Sequence, residues 1–330
     1  MNSDTRPDND DSFAAAAAKD PDFFVVGPPR TGTSLLTVVL NARPDIAIAQ
    51  DTSVFSEFKN AAVTFEHIQQ NKYDGLVHPL ISFNQQSTAM IKSLRLNFSS
   101  ERHMLLMGLY FSGLLKFHAR DTFVDDPRKD RGTGIRYLQG IDFTKIYERL
   151  ARDEVPVREI FNYIIHRIIT KAGLKGSFIG EKTPSHALLS IFLADIYENA
   201  KFINIIRNPI TFIGSRRQRL DTTIERHCYY YNYNIEQMLD NPERAIFVRY
   251  EDLLSDADKQ CRRIHKFLGL REAELDGSLD AGVYPKYVGS KVDPDRDRKN
   301  LEFTSEQERE EIKSRLAHIY EKFYPELLSG

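Results

Sequence analysis

The sequence predicts an α/β protein of three layers, with a central, mainly parallel sheet flanked by helices. Three observations carry this expectation. Short apolar runs alternate with helix-length segments, the pattern produced by parallel strands that are covered on both faces. A strand, a Gly/Pro turn and a helix N-terminus follow one another without interruption at Phe23–Leu36. Arg30, Asp51, Lys182, Arg207 and Glu251 each lie at the end of a predicted strand, the edge at which such sheets bind ligands.

Taken in order, residues 1–20 are rich in Asn, Asp and Ser, then Ala, and read as a disordered tail. Residues 21–330 read as a single domain. Phe23–Val26 is the first strand, short and wholly apolar. Leu35–Leu40 is helical and is ended by Asn41-Ala-Arg-Pro44. Ile46–Ala49 is a second strand with Gln50-Asp51-Thr52 at its C-terminal end. Thr52 to Ala172 is helical and irregular, with helices expected around Met104–Phe117 and Arg158–Lys171; residues 60–172 form a helical insertion. Within it, Asp121–Arg136, with the charged run Asp125–Arg131, reads as a solvated loop, with a lid as the alternative. Ser177–Gly180 is a third strand ending in Glu181-Lys182-Thr183-Pro184, and a helix follows at Ala187–Tyr197. Lys201–Ile206 is a strand ending in Arg207-Asn-Pro209, with a helix beyond it that carries Ser215. Ala245–Val248, closed by Arg249-Tyr-Glu-Asp252, is the last strand. Helices at Ala257–Leu268 and over residues 304–323 complete the chain.

Composition narrows the function. Lys plus Arg number 45 and Asp plus Glu 47, so no global positive field recruits nucleic acid and any anion site must be local. Cys228 and Cys261 match no metal spacing and suit a reducing, cytoplasmic compartment. No run is long and apolar enough to span a membrane, and no metal site is expected.

The local anion site is at the opening loop. Gly27-x4-Gly32-Thr33-Ser34 fits the P-loop spacing, making the fold P-loop-like, but Thr33 stands where a nucleotide triphosphatase has its lysine. That lysine serves the β- and γ-phosphates, so its absence argues against a γ-phosphoryl donor. A strand, a tight loop and a helix N-terminus still point unpaired N–H groups and the helix dipole at one anion.

Pro29-Arg-Thr-Gly-Thr-Ser34, Gly180-Glu-Lys-Thr-Pro-Ser-His186, Arg207-Asn-Pro-Ile-Thr-Phe-Ile-Gly-Ser215 and Arg249-Tyr-Glu-Asp-Leu253 occur in this order. Together they resemble the sulfotransferases that use 3'-phosphoadenosine-5'-phosphosulfate (PAPS), in particular the bacterial group related to tyrosylprotein sulfotransferases. The resemblance covers roughly residues 22–58 and 177–270. It implies that Arg30, Thr31, Gly32, Thr33 and Ser34 hold the 5'-phosphosulfate. It implies that Arg207 and Ser215 hold the 3'-phosphate, for which a forked guanidinium and a hydroxyl are chemically apt. Lys182 takes the place of a lysine that stabilises the leaving group and the sulfuryl. Asp51, twenty-one residues after Arg30, stands where the tyrosylprotein branch has its glutamate base, one methylene shorter; His186 is the rival base.

Near the C-terminus the family's tryptophan is missing; Ser290, Lys291, Arg298 and Lys299 in Tyr287–Lys299 are the candidates to close over the 3'-phosphate, with a solvated loop as the alternative. The insertion would cap a hydroxyl-bearing acceptor of unspecified class. Tyr229-Tyr-Tyr-Asn-Tyr233 reads either as an aromatic acceptor wall or as half-buried packing. Two other readings remain open, a P-loop kinase or NTPase and a non-catalytic nucleotide-binding module.

Overall fold

The computed structural model describes residues 16, 18–52, 157–271 and 294–328. They fall into two units, one formed by Pro21–Gln50 and Leu174–Gly330, the other by Met1–Asp20 and Asp51–Gly173.

The first unit is built on five strands: β1 (Phe23–Val26), β2 (Ile46–Gln50), β3 (Phe178–Lys182), β4 (Lys201–Ile206) and β5 (Ala245–Arg249). All are parallel, in the order β2-β3-β1-β4-β5. The chain leaves central β1 to one side for β2 and β3, then crosses to the other side for β4 and β5. A crevice opens at the C-terminal edge of a parallel sheet where the order reverses in this way. The apolar runs at Phe23–Val26 and Lys201–Ile206 match their strands end to end, because central strands are buried on both faces. Three strands extend beyond their apolar runs. β2 reaches Gln50, β5 reaches Arg249, and β3 runs to Lys182, since Gln50 and Val25 continue its ladder on either side.

One face of the sheet is covered by α1 (Thr33–Asn41), α6 (Tyr250–Ser255) and α7 (Ala257–Leu268), whose Leu36, Val39, Leu253 and Ile264 are wholly buried against Val25, Ile203 and Ile205. Each such side chain contributes about 2 kcal/mol by leaving water. The other face carries Phe24, stacked on Phe202 and tilted against Tyr197 at centroid distances of 5.4 Å. Covering it are a 3-10 turn at Pro184–Leu189 and α3 (Ser190–Ile196), where one helix over Ala187–Tyr197 is expected. Pro184 suits the first position of this segment, where its missing N–H would have had no intrahelical partner. After β4 come α4 (Pro209–Arg217) and α5 (Ile224–Gln237), held together by Phe212 on Tyr231 at 4.6 Å. The C-terminal helix over residues 304–323 is two helices, α8 (Glu306–Arg315) and α9 (Ala317–Phe323), broken at Leu316. A Ser305/Glu308 capping box fixes where α8 begins.

In the second unit, α2 (Val157–Lys171) holds the end of the N-terminal segment. Arg158 Nε and Asn162 Nδ2 both donate to Asp20 Oδ1 at 2.9 Å, and His166 lies 3.0 Å from the Lys19 carbonyl. The expected helix at Met104–Phe117 and the charged run Asp125–Arg131 lie outside the described residues, as does most of the 60–172 insertion.

Candidate active site

The loop between β1 and α1 is shaped by close approaches. A Cβ on Gly27 would fall 2.4 Å from the Ile205 carbonyl oxygen of β4, so only glycine lets β1 turn there. Thr31 closes the turn, its N–H and its hydroxyl both donating to the Pro28 carbonyl at 3.0 and 2.8 Å. On either side of Thr31 the backbone is left-handed, with φ 90° at Arg30 and 97° at Gly32. A non-glycine residue in that region is uncommon and concentrates at functional sites. Gly32 caps α1 without a side chain, and no acidic residue occupies the helix's first turn. The first N–H groups of a helix have no intrahelical partner, so this N-terminus suits an anion.

Arg207 stands directly after β4 and is 5% exposed. Its Nη1 donates to the Arg30 carbonyl at 2.7 Å, its Nε to Thr211 at 3.3 Å, and its Nη2 to the Asp297 carboxylate. Its guanidinium lies over the Tyr250 ring, 4.8 Å from the centroid. Ser215, buried in α4, accepts from Arg30 Nε at 3.0 Å. A hydroxyl that accepts one bond still has its own hydrogen to donate. The two predicted anion motifs are thus joined twice, once through the Arg30 carbonyl and once through its side chain. Arg30 itself is exposed.

Lys182, wholly buried at the end of β3, donates from Nζ to Ser34 Oγ at 3.4 Å. A lysine from a neighbouring strand thus reaches the first turn of α1. Glu181 precedes it and, by strand alternation, faces the opposite side of the sheet. There it meets His186, whose Nδ1 is 2.9 Å from Glu181 Oε2, and Thr183, whose hydroxyl donates to Oε1 at 2.7 Å. His186 therefore lies on the sheet face away from Ser34. Asp51, the residue after β2, has a left-handed backbone with φ 50°.

Behind Arg207 is a scaffold that sequence reading missed. Tyr231 donates to the Arg207 carbonyl at 2.6 Å, and Glu251 accepts from the Asn208 N–H at 2.7 Å. Tyr320 and Tyr324 donate to Asn208 Oδ1 and Glu251 Oε2, both at 3.2 Å. Burial raises the pKa of Glu251, which supports the strand end from behind instead of facing the crevice. Within Tyr229-Tyr-Tyr-Asn-Tyr233 the buried Tyr231 is a strut. Exposed Tyr229 and Tyr233 stack on each other at 6.1 Å, and Tyr230 lies beneath Arg216 at 3.8 Å.

In the C-terminal segment Pro294–Phe303, Arg298 and Lys299 are exposed, whereas Asp297 and Asn300 are buried. Asn300 donates to Asp297 Oδ1 at 3.2 Å, and its carbonyl packs so closely on α4 that a Cβ on Gly214 would lie 2.0 Å away. Ser290 and Lys291 lie outside the described residues. The repeating Asp/Arg pattern gave no sign that Asp297 is the buried member; Tyr250 did have a signal, its place in the Arg249-Tyr-Glu-Asp motif. Among the described residues no group of His, Cys, Asp and Glu could hold a metal ion, and no helix is long and apolar enough to cross a membrane.

A sulfotransferase family model matches residues 21–274. The omega-hydroxy-beta-dihydromenaquinone-9 sulfotransferases Stf3 of Mycobacterium bovis and Mycobacterium tuberculosis are each 28% identical over 115 residues. That alignment takes in 28% of this chain and 29% of the relative, so the chain spans under a third of the relatives' length. Among solved structures, the sulfotransferase domain of the Synechococcus PCC 7002 olefin synthase is similar with a TM-score of 0.48 and 19% identity, over 90% of this chain and 94% of that one. Sulfotransferase STF9 from Mycobacterium avium gives 0.43 and 15%, over 96% and 79%. With a family match over most of its length, on a parallel sheet that carries the expected loop, the chain belongs to the sulfotransferase family.

Proposed function

We propose that the protein transfers a sulfuryl group from PAPS to a hydroxyl acceptor by in-line displacement. The observation that carries this reading is the double link between Arg30 and the Arg207/Ser215 pair, which makes one body of two anion sites. A nucleotide with a 5'-phosphosulfate and a separate 3'-phosphate needs such a pair; ATP does not.

In this reading the turn Thr31–Ser34 and the start of α1 hold the 5'-phosphate, with Arg30 offsetting the charge that develops on it. Arg207 and Ser215 hold the 3'-phosphate. Arg298 and Lys299, exposed beside Asp297, and Ser290 and Lys291 are the further 3'-phosphate contacts. The acceptor oxygen attacks sulfur, the bond from sulfur to the bridging oxygen breaks, and 3'-phosphoadenosine-5'-phosphate (PAP) leaves with the bonding pair. Lys182, already beside Ser34, stabilises the sulfuryl in flight and the leaving oxygen. Asp51 receives the acceptor proton. His186, tied to Glu181 on the other face of the sheet, is the weaker base. No step calls for a metal. The 60–172 segment supplies the acceptor cap, and the two buried thiols, Cys228 and Cys261, suit a cytoplasmic setting.

Calorimetry with PAP and with ATP tests the donor. PAP is expected to bind at least tenfold more tightly; a preference for ATP would return the loop to the kinases and NTPases. Turnover that survives Lys182→Ala and Asp51→Ala, on an acceptor found by screening with labelled PAPS, would remove both residues from the mechanism; nucleotide binding with no turnover on any acceptor would leave a non-catalytic module.

A further inference from the structure

We propose that Gln50 donates a hydrogen bond to the sulfuryl group of the bound donor, an inference that rests on the PAPS reading above. Gln50 is the last residue of β2, is 1% exposed, and has no hydrogen-bond partner for either its Oε1 or its Nε2. Other buried amides among the described residues are served: Asn204 and Asn234 each donate to a carbonyl, and Gln260 accepts from Arg263. Gln50 alone has both ends unpartnered. An amide buried in this way opposes folding, and leucine or methionine would fill the same space without that cost. A ligand that completes it accounts for its presence.

Register says which part of the ligand. Gln50 pairs with Lys182 across the β2–β3 ladder, and Lys182 pairs with Val25 across the β3–β1 ladder. Paired residues in a parallel sheet lie on one face, and strand alternation puts Gln50 on the face of Ile46 and Ile48, which α1 covers. Gln50, Lys182 and the first turn of α1 therefore share one face and one end of the sheet. The phosphate loop continues from β1; Lys182 is one strand away and Gln50 two, about 10 Å from the β1 axis. A group held at the loop by its phosphate and extending past Lys182 presents its terminal sulfuryl oxygens toward Gln50. Those oxygens only accept hydrogen bonds, and Nε2 has two to give. A neutral amide at this distance adds to the charge already supplied by Lys182 without repelling it.

The test compares PAPS with PAP, which differ only by the sulfuryl, using calorimetry and melting of the full chain carrying Gln50→Leu. PAP affinity is expected to stay within twofold, PAPS affinity to fall about tenfold, and the free protein to melt higher. Gln50→Met, closer in length, should behave alike and serves if the leucine variant folds poorly. A higher melting temperature with an unchanged PAPS-to-PAP ratio identifies a frustrated core amide and overturns the proposal. Wild-type protein that binds neither nucleotide removes the donor reading and this contact with it; wild-type that binds both while the variant's ratio stays put removes this contact alone.

Discussion

Arg207 and Asp297, ninety residues apart in sequence, form an ion pair buried beside the loop that joins β1 to α1. The guanidinium expected to bind a 3'-phosphate is thus matched to a carboxylate of the same chain. A phosphate reaching Arg207 meets that negative charge, and the two compete. Asp297→Asn keeps the bond from Asn300 and removes the charge. Breaking a buried pair from one side costs roughly 3–5 kcal/mol when burial is complete. The free variant should therefore melt lower than wild type, bind PAP more tightly, and gain more in melting temperature on adding PAP. An equal PAP-induced gain in both proteins would show that Asp297 and the nucleotide do not compete.

Gly32 gives a second prediction. Its φ of 97° is costly for alanine, and an added Cβ would lie 2.3 Å from the Tyr250 ring. Gly32→Ala is expected to lose about 1–3 kcal/mol in urea unfolding and to abolish PAP binding. Adding Tyr250→Ala removes the collision but not the backbone strain, so stability should recover in part. Nucleotide binding should not recover, since Arg207 then loses the ring beneath it. Full recovery of binding in the double variant would mean that the ring, and not the left-handed turn, sets the loop.

Much of this geometry was legible in the sequence, for a physical reason. The loop at Gly27–Ser34 is built from residues adjacent in sequence, and β1 and β4 are buried on both faces, so their apolar runs show directly. β3 is harder to read. Its last two residues are Glu181 and Lys182, and charged residues look like the end of a strand unless both ladders are known. Asp297 was not legible at all. It sits in Asp-Pro-Asp-Arg-Asp-Arg, where every charge resembles its neighbour, and only contact with Arg207 singles it out. Gln50 was invisible for the opposite reason: a polar residue after an apolar run reads as solvent-facing, and only packing shows that it is buried and unpartnered.

Glu251 makes a prediction with a pH signature. Burial is the largest cause of its raised pKa, opposed by the bond from the Asn208 N–H. A carboxyl with a raised folded-state pKa takes up its proton more readily when folded. Its contribution to stability is complete below the ordinary value of 4.5 and is lost as the pH rises through the folded value. Glu251→Gln keeps an oxygen to accept from the Asn208 N–H, and its amide NH2 can donate to the Tyr324 hydroxyl oxygen, but it carries no charge to desolvate. The variant should melt higher than wild type at pH 7.5, and the difference should vanish near pH 4.5. A gap that persists at pH 4.5 would assign the effect to packing.

The buried histidines act in the opposite direction. Burial comes first in lowering the pKa of both His227 and His265; Arg216 and Arg217 add to it at His227, and Arg43 at His265, where Asp45 opposes. Neither ring nitrogen of His265 has a hydrogen-bond partner to stabilise the imidazolium. A histidine whose folded pKa is depressed resists protonation only while folded. Its stabilising contribution is complete above the ordinary value of 6.5 and is lost as the pH falls toward the folded value. Melting measured in the Glu251→Gln background, which removes the opposing carboxyl, should be flat from pH 8 to 7 and decline below 6.5. Adding His265→Met, which fills the site without a titrating group, should make that decline shallower. An identical decline with and without His265 would place the acid sensitivity elsewhere, with His227 the next residue to replace.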